Sequence, residues 1–327
     1  MICEEGYSIE GVSKLRCLST GEYDQRFPQC VKKPPTTDLI CGQRHLQTTE
    51  TPIDPDWVTD NVDIDTGSGH QRIYGGEEAQ PGEYPWNVII TLNQGRFCGG
   101  SIIGREWVLT AGHCLLKQHF GLCNNRKLGE ECKLLIPEKV ESIKAGVHNK
   151  DNNDNWQIRT AVQLIIHPYF AYQQKYIDYD LGLIKVSEPF QYNKKVNRVC
   201  LPAEGVTNII NNDHLHVSGW GKTDTLETSP TLQKITVPFV KRERCNSNMS
   251  YKGVITETMF CAGYQAGKID ACKGDSGGPL VYLGSNGTFV QGGIVSWGIS
   301  CAAEHFYGVY TNVGYFYRWI VDIMNEN

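Results

Sequence analysis

The chain contains no apolar run near the roughly 20 residues that a membrane-spanning helix needs. It has no excess of basic residues either. Its 31 Lys and Arg stand against 36 Asp and Glu, a net charge of −5, so the positive footprint of a nucleic-acid binder is missing. Internal repeats and low-complexity tracts are absent, which excludes solenoids and compositionally biased architectures. Apolar residues at helical spacing are scarce, which argues against a helical bundle. After Met1, the run Ile2-Cys3-Glu4-Glu5 has neither the basic segment nor the apolar core of a secretory leader.

What is present points elsewhere. A length of 327 residues accommodates one large domain of about 200–250 residues and a smaller piece. Short β-branched apolar runs alternate with Gly, Pro and Asn, the pattern of an all-β sandwich or barrel. The 13 cysteines are dispersed along the chain, which implies an oxidising compartment, and their odd number leaves one unpaired. Disulfide-rich extracellular character without a leader is inconsistent, so the expectation is that Met1 is not the natural start.

Three stretches carry chemistry. Ser276 lies in Asp270-Ala271-Cys272-Lys273-Gly274-Asp275-Ser276-Gly277-Gly278-Pro279. A serine hydroxyl is a weak nucleophile at neutral pH and needs a base and donors for the oxyanion. Gly274 lets the backbone turn so that its N–H and that of Ser276 can face one point. His113 ends the β-prone run Val108-Leu109-Thr110-Ala111-Gly112-His113-Cys114 and is the candidate base. Taken alone, a histidine beside an apolar run is more often structural. Asp180 opens the apolar run Leu181-Gly182-Leu183-Ile184; an acid there is expensive to bury without a partner, and a histidine N–H would serve.

The order His, Asp, Ser and these motifs resemble the trypsin/chymotrypsin-like serine proteases. The resemblance runs from Ile73 to the C-terminus and extends to Ile73-Tyr74-Gly75-Gly76, Gly219-Trp220-Gly221 and Ser296-Trp297-Gly298. It implies two antiparallel β-barrels with a C-terminal helix and a catalytic set of His113, Asp180 and Ser276, with Gly274 and Ser276 forming the oxyanion hole. Asp270 would floor the primary specificity pocket and favour Arg or Lys, with Gly298 and Gly308 keeping that pocket open. Ser296, Trp297 and Gly298 would pair with an extended substrate, and Ser296 would bond Asp180. Ser300 replaces a frequent glycine at the pocket mouth.

Further expectations come from the same resemblance. Cleavage after Arg72 would free an ammonium on Ile73 to pair with Asp275. Implied disulfides are Cys41–Cys200, Cys98–Cys114, Cys123–Cys132, Cys245–Cys261 and Cys272–Cys301. On the loop-entropy model, the short Cys123–Cys132 closure contributes roughly 2.5–3 kcal/mol. Whether its loop, residues 124–131, narrows the cleft or is a plain surface loop stays open. Gly112 replaces a usual alanine, predicting a slightly looser turn. Val147 stands where some relatives carry a calcium-binding carboxylate, so no metal is expected. Tyr307 before Gly308 matches sodium-responsive members. First-barrel strands are expected at 86–92, 100–103, 107–110, 140–145 and 181–186. A helix is expected from Val313 to about Asn325, docked on the second barrel. His214 and His216 share a strand face, read as solvated.

The N-terminal residues Cys3 to Cys30, with Gly11, Cys17, Gly21, Tyr23 and Pro28, resemble the second half of a sushi (complement control protein) module. That resemblance pairs Cys3 with Cys30 and leaves Cys17 over. The expected division is 1–33 partial sushi module, 34–72 acidic linker and activation segment, and 73–327 protease domain. Together these features suggest the mannan-binding-lectin-associated group of complement-initiating proteases. The expectation is a secreted zymogen of a complement-like innate immunity cascade, with clotting-type or prophenoloxidase-type cascades and a silent binding homologue as alternatives. Expected partners are protein substrates with Arg or Lys at the cleaved bond, an activating trypsin-like protease, and a recognition partner reached through upstream modules. Asn248-Met249-Ser250 and Asn286-Gly287-Thr288 are glycosylation sequons.

Overall fold

A computed structural model describes residues 7–10, 29–32, 40–44, 75–116, 139–152, 156–172, 176–203 and 214–326. It divides into two compact units, residues 1–39 and 40–327. In the first, strand Tyr7–Glu10 pairs antiparallel with Gln29–Lys32, Tyr7 opposite Lys32.

In the second unit, seven strands form one antiparallel sheet in the order Gln157–Arg159, Val140–Ala145, Asn87–Leu92, Phe97–Gly104, Trp107–Thr110, Gly182–Val186, Ala161–Ile166. Eight form the other, in the order Phe239–Val240, Met259–Ala262, Gly308–Asn312, Phe289–Trp297, Pro279–Leu283, Leu215–Gly219, Gln233–Val237, Glu77–Glu78. Both curl into half-barrels, the all-β arrangement expected. Strands such as Asn87–Leu92 are buried almost throughout, and Trp86, Trp220, Tyr310 and Phe190 are among the largest fully enclosed side chains. Each such side chain contributes about 1.5–3 kcal/mol.

Where the sheets meet, glycine permits contact. A Cβ at Gly99 would lie 2.9 Å from Gly278 Cα, and Gly99 N donates to Ser276 O at 2.8 Å. A strand of the first barrel thus touches the loop carrying Ser276.

Five expectations need correction. The C-terminal helix spans Tyr317–Glu326, starting later than expected because 313–316 form a turn. It packs on the first barrel: Met324 Cε reaches to 3.0 Å of a Cβ built at Gly104, and Trp319 meets His167 with ring centroids 4.9 Å apart. The turn at Gly112 is closely packed, since a Cβ there would meet Phe170 at 2.9 Å and Leu181 O at 3.0 Å. His216 is half-buried against Phe289 at 5.7 Å, and burial pushes its pKa down to about 4. Strand Phe97–Gly104 also begins earlier than 100, because Phe97 pairs with Thr91.

Candidate active site

His113 sits in a single turn, Gly112–Leu115, that follows strand Trp107–Thr110. The Cys98–Cys114 disulfide ties that turn to the neighbouring strand. Asp180 holds it from the other side: His113 N donates to Asp180 Oδ1 at 2.8 Å, and Nδ1 lies 2.8 Å from Oδ2. A carboxylate only accepts, so Nδ1 carries the proton and Nε2 is free to act as a base. The acid is 1% exposed and the imidazole 24%. Burial alone would lower the His113 pKa, but the charge and hydrogen bond of Asp180 override it and hold the imidazole above its usual value. Burial alone would raise Asp180, whereas His113 and Ser296 hold it below the usual carboxylate range.

Ser296 Oγ donates to Asp180 Oδ2 at 2.5 Å, and Thr311 Oγ1 donates to the Asp180 carbonyl at 2.7 Å. The Ser276 segment lies alongside: Cys114 Sγ is 3.8 Å from His113 Nε2 and 3.6 Å from Ser276 O. Imidazole and carboxylate thus come from two distant segments that meet where the barrels join, beside the backbone of Ser276.

The loop before Ser276 is turned by Gly274 at φ 98° and closed by Asp275 N donating to Cys272 O at 2.9 Å. A positive φ of this size suits glycine. Among the described residues, the N–H groups of Gly274 and Ser276 donate to no protein acceptor. Asp275 is fully buried. Its oxygens accept from Gly221 N at 2.8 Å and Cys272 N at 3.0 Å, yet burial still pushes its pKa up to about 6. Arg72 and Ile73 lie outside the described residues, as do Cys123 and Cys132 and the side chains of Cys3 and Cys30.

Asp270 is 7% exposed and accepts from Ala302 N at 3.1 Å. Burial pushes its pKa up to about 7. The two glycines expected to keep a pocket open above it differ in their surroundings. A Cβ at Gly308 would lie 2.9 Å from Asp270 Oδ1, while one at Gly298 would have nothing nearer than 3.8 Å. Ser300 adopts φ 57°, the left-handed conformation for which glycine is the usual residue. Trp297 donates from Nε1 to Ile177 O at 3.1 Å. Further disulfides are Cys41–Cys200, Cys245–Cys261 and Cys272–Cys301; the last ties the Asp270 loop to the Ser300 loop.

Thr311, Ala302 and Asp178 took no role in the sequence reading. Thr311 and Asp178 make their contacts across the barrels and Ala302 bonds a residue 32 positions away, so no local pattern marks them.

The trypsin family profile matches residues 73–320, and the sushi (SCR) repeat profile matches residues 1–30. Coagulation factor IX of Oryctolagus cuniculus is 37% identical over 252 residues, covering 76% of this chain and 83% of that protein. The clotting factor G beta subunit of Tachypleus tridentatus is 37% identical over 266 residues, 77% of this chain and 79% of that protein. Transmembrane protease serine 11C of Mus musculus is 35% identical over 253 residues, 77% of this chain; the chain spans 53% of that relative's length.

Proposed function

The chain belongs to the trypsin family of serine endopeptidases, and from that premise we propose a secreted zymogen, activated by cleavage after Arg72, that cuts proteins after Arg or Lys. His113 takes the proton of Ser276 as the hydroxyl attacks the scissile carbonyl, then returns it to the leaving amine. Asp180 fixes the tautomer and steadies the imidazolium. The N–H groups of Gly274 and Ser276 bind the tetrahedral oxyanion; losing one such donor costs about a hundred- to a thousandfold in rate. Water then hydrolyses the acyl-enzyme by the same proton path.

The observation that carries this reading is the paired 2.8 Å contacts of His113 with Asp180 beside the Ser276 loop, with a buried acid, Asp270, six residues before Ser276. The Asp270 carboxylate suits a guanidinium for its bidentate fit. After cleavage, the new ammonium of Ile73 would offset the buried charge of Asp275, and Cys41–Cys200 would keep the two chains joined. The activating cut follows Arg, so autoactivation or activation by a near relative fits the same pocket. The reading is tested by treating the full chain with a trypsin-like protease and measuring fluorophosphonate labelling of Ser276 and Arg, Lys and Phe peptide hydrolysis. Labelling without any Arg or Lys preference would sink the pocket assignment; no labelling would sink the catalytic one.

The division into 1–33, 34–72 and 73–327 belongs to this proposal, as does a role in an extracellular cascade. The sushi match supports a complement-type setting, with recognition through upstream modules. The two relatives named as clotting factors favour a clotting-type cascade as the second reading. Incubation of the activated enzyme with candidate cascade proteins separates the two. Secretion draws support from the four disulfides of the described residues and from exposed Asn248 and Asn286 in their sequons. No helix among the described residues is long and apolar enough to cross a membrane.

Sodium near Tyr307 is a minor part of the reading. In the adjoining loop Ala303 O accepts from Phe306 N and Tyr307 O from the Tyr251 hydroxyl, and its carboxylate, Glu304, is turned outward to His305. The sodium reading rests on Tyr307 standing before Gly308, where sodium-responsive relatives carry tyrosine. Equal amidolytic rates in sodium and choline chloride at one ionic strength would reject it.

A further inference from the structure

The segment 177–180, which ends at the triad acid, is pinned to the second barrel at three of its four residues. Trp297 Nε1 donates to Ile177 O at 3.1 Å. Ser296 and Thr311 hold the carboxylate and the carbonyl of Asp180. Between these anchors lies Asp178, with no exposed surface. Thr258 Oγ1 makes a short hydrogen bond to Asp178 Oδ1, and Thr256 Oγ1 donates to the same oxygen at 3.4 Å. The two threonines contact each other at 2.7 Å. Both belong to the turn leading into strand Met259–Ala262, so Asp178 spans the junction between the barrels.

The backbone after Asp178 needs such an anchor. Tyr179 adopts φ 51°, a left-handed conformation that an aromatic residue takes only when its surroundings impose it. Leu181 N donates to Tyr179 O at 2.9 Å, closing a tight turn around Asp180. Tyr179 N donates to Asp178 Oδ1 at 2.7 Å, so one carboxylate oxygen grips both the second barrel and the start of the strained turn. If that grip were lost, Tyr179 could relax toward the extended region, and Asp180 would rotate away from His113.

We propose that Asp178 is a positioning residue for the triad: its buried side chain joins the Thr256–Thr258 turn to the left-handed turn at Tyr179 and so aims Asp180 at His113. It touches neither substrate nor the reacting atoms. Its other oxygen, Oδ2, is buried without a hydrogen-bond partner, so the positioning runs through Oδ1 alone. An asparagine, whose amide oxygen can accept the same bonds, therefore retains the function.

The inference rests on the proposed triad, and the test keeps the two apart. Wild-type full chain cleaved at Arg72 is assayed first; if it is inactive and unlabelled by fluorophosphonate, the triad reading fails. With an active wild type, Asp178→Ala should lower kcat roughly 10- to 100-fold, the scale of a small misplacement of a reacting group. KM should stay within about twofold, as for an interaction that does not bind substrate. Asp178→Asn should recover kcat to within about threefold of wild type. Thr258→Val removes the nearer of the two donors from the opposite barrel and should lower kcat the same way, so it reads the contact even if Asp178→Ala does not fold. The double variant should be no worse than the poorer single one, because both remove the same bond. The proposal is overturned by unchanged kcat in Thr258→Val or a folded Asp178→Ala, by a loss carried in KM, or by a loss that asparagine does not recover.

Discussion

Asp275 fills the space that a side chain at Gly219 would need. A Cβ at Gly219 would lie 2.1 Å from Asp275 Oδ1, and one at Gly221 would lie 2.5 Å from Oδ2. The two glycines flanking Trp220 are thus the room into which the acid before Ser276 turns. Gly219→Ala should destabilise the chain by about 1–3 kcal/mol, as overpacking does, and should suppress labelling of Ser276 by displacing Asp275. Urea midpoints and fluorophosphonate labelling check this. An alanine variant equal to wild type in both would mean that Asp275 does not need that space.

Asp270 must be ionised to hold a substrate cation, and burial pushes its pKa up to about 7. Below that pH it is a neutral acid that offers a guanidinium much less. Benzamidine affinity should therefore rise as pH increases through about 7 and level off above it. Asp270→Asn should lower kcat/KM on arginine substrates roughly 100-fold or more, as removing one partner of a buried charge pair does. Calorimetric titration across that range is the check; a flat benzamidine affinity from about pH 5 to about pH 8 would show the acid already ionised throughout.

The same burial affects stability in the uncleaved chain. Asp270 and Asp275 have folded values of about 7 and about 6 against an ordinary 3.8. The folded chain thus holds more protons than the unfolded one across that interval. The stability this confers is present below about 4 and is lost as pH rises through about 6 and about 7. Asp270→Asn in a Ser276→Ala background should be more stable than its parent at about pH 8, by a few kcal/mol at most, and nearly equal to it at about pH 4. Denaturant curves at the two pH values measure it. An Asn variant less stable than its parent at the higher pH would contradict the assignment.

Gly308 tests the slot independently of charge. With the methyl group of Gly308→Ala 2.9 Å from Asp270 Oδ1, a long cationic side chain should no longer reach the acid. Activity on Arg and Lys peptides should fall roughly 100-fold, while a small fluorophosphonate still labels Ser276. Loss of both would place Gly308 in the packing of the Ser276 loop instead.

The sequence alone determined the all-β class and the order of the three motifs. A reactive residue flanked by glycine or cysteine is a short-range pattern, and strand-like alternation marks itself in a few residues. It also indicated an acid six residues before Ser276 and, through the family resemblance, four cysteine pairs that the structure contains. Only the tertiary structure decided that the C-terminal helix lies on the first barrel, that Gly112 is tightly packed, that His216 is half-buried, and that Asp178 reaches across to Thr258. Each of these depends on which surfaces meet when two sheets curl against one another. That meeting is set by side-chain volume and hydrogen-bond reach between residues up to 220 positions apart, as Gly104 and Met324 are. An amphipathic stripe says that a helix has a covered face; it does not say what covers it.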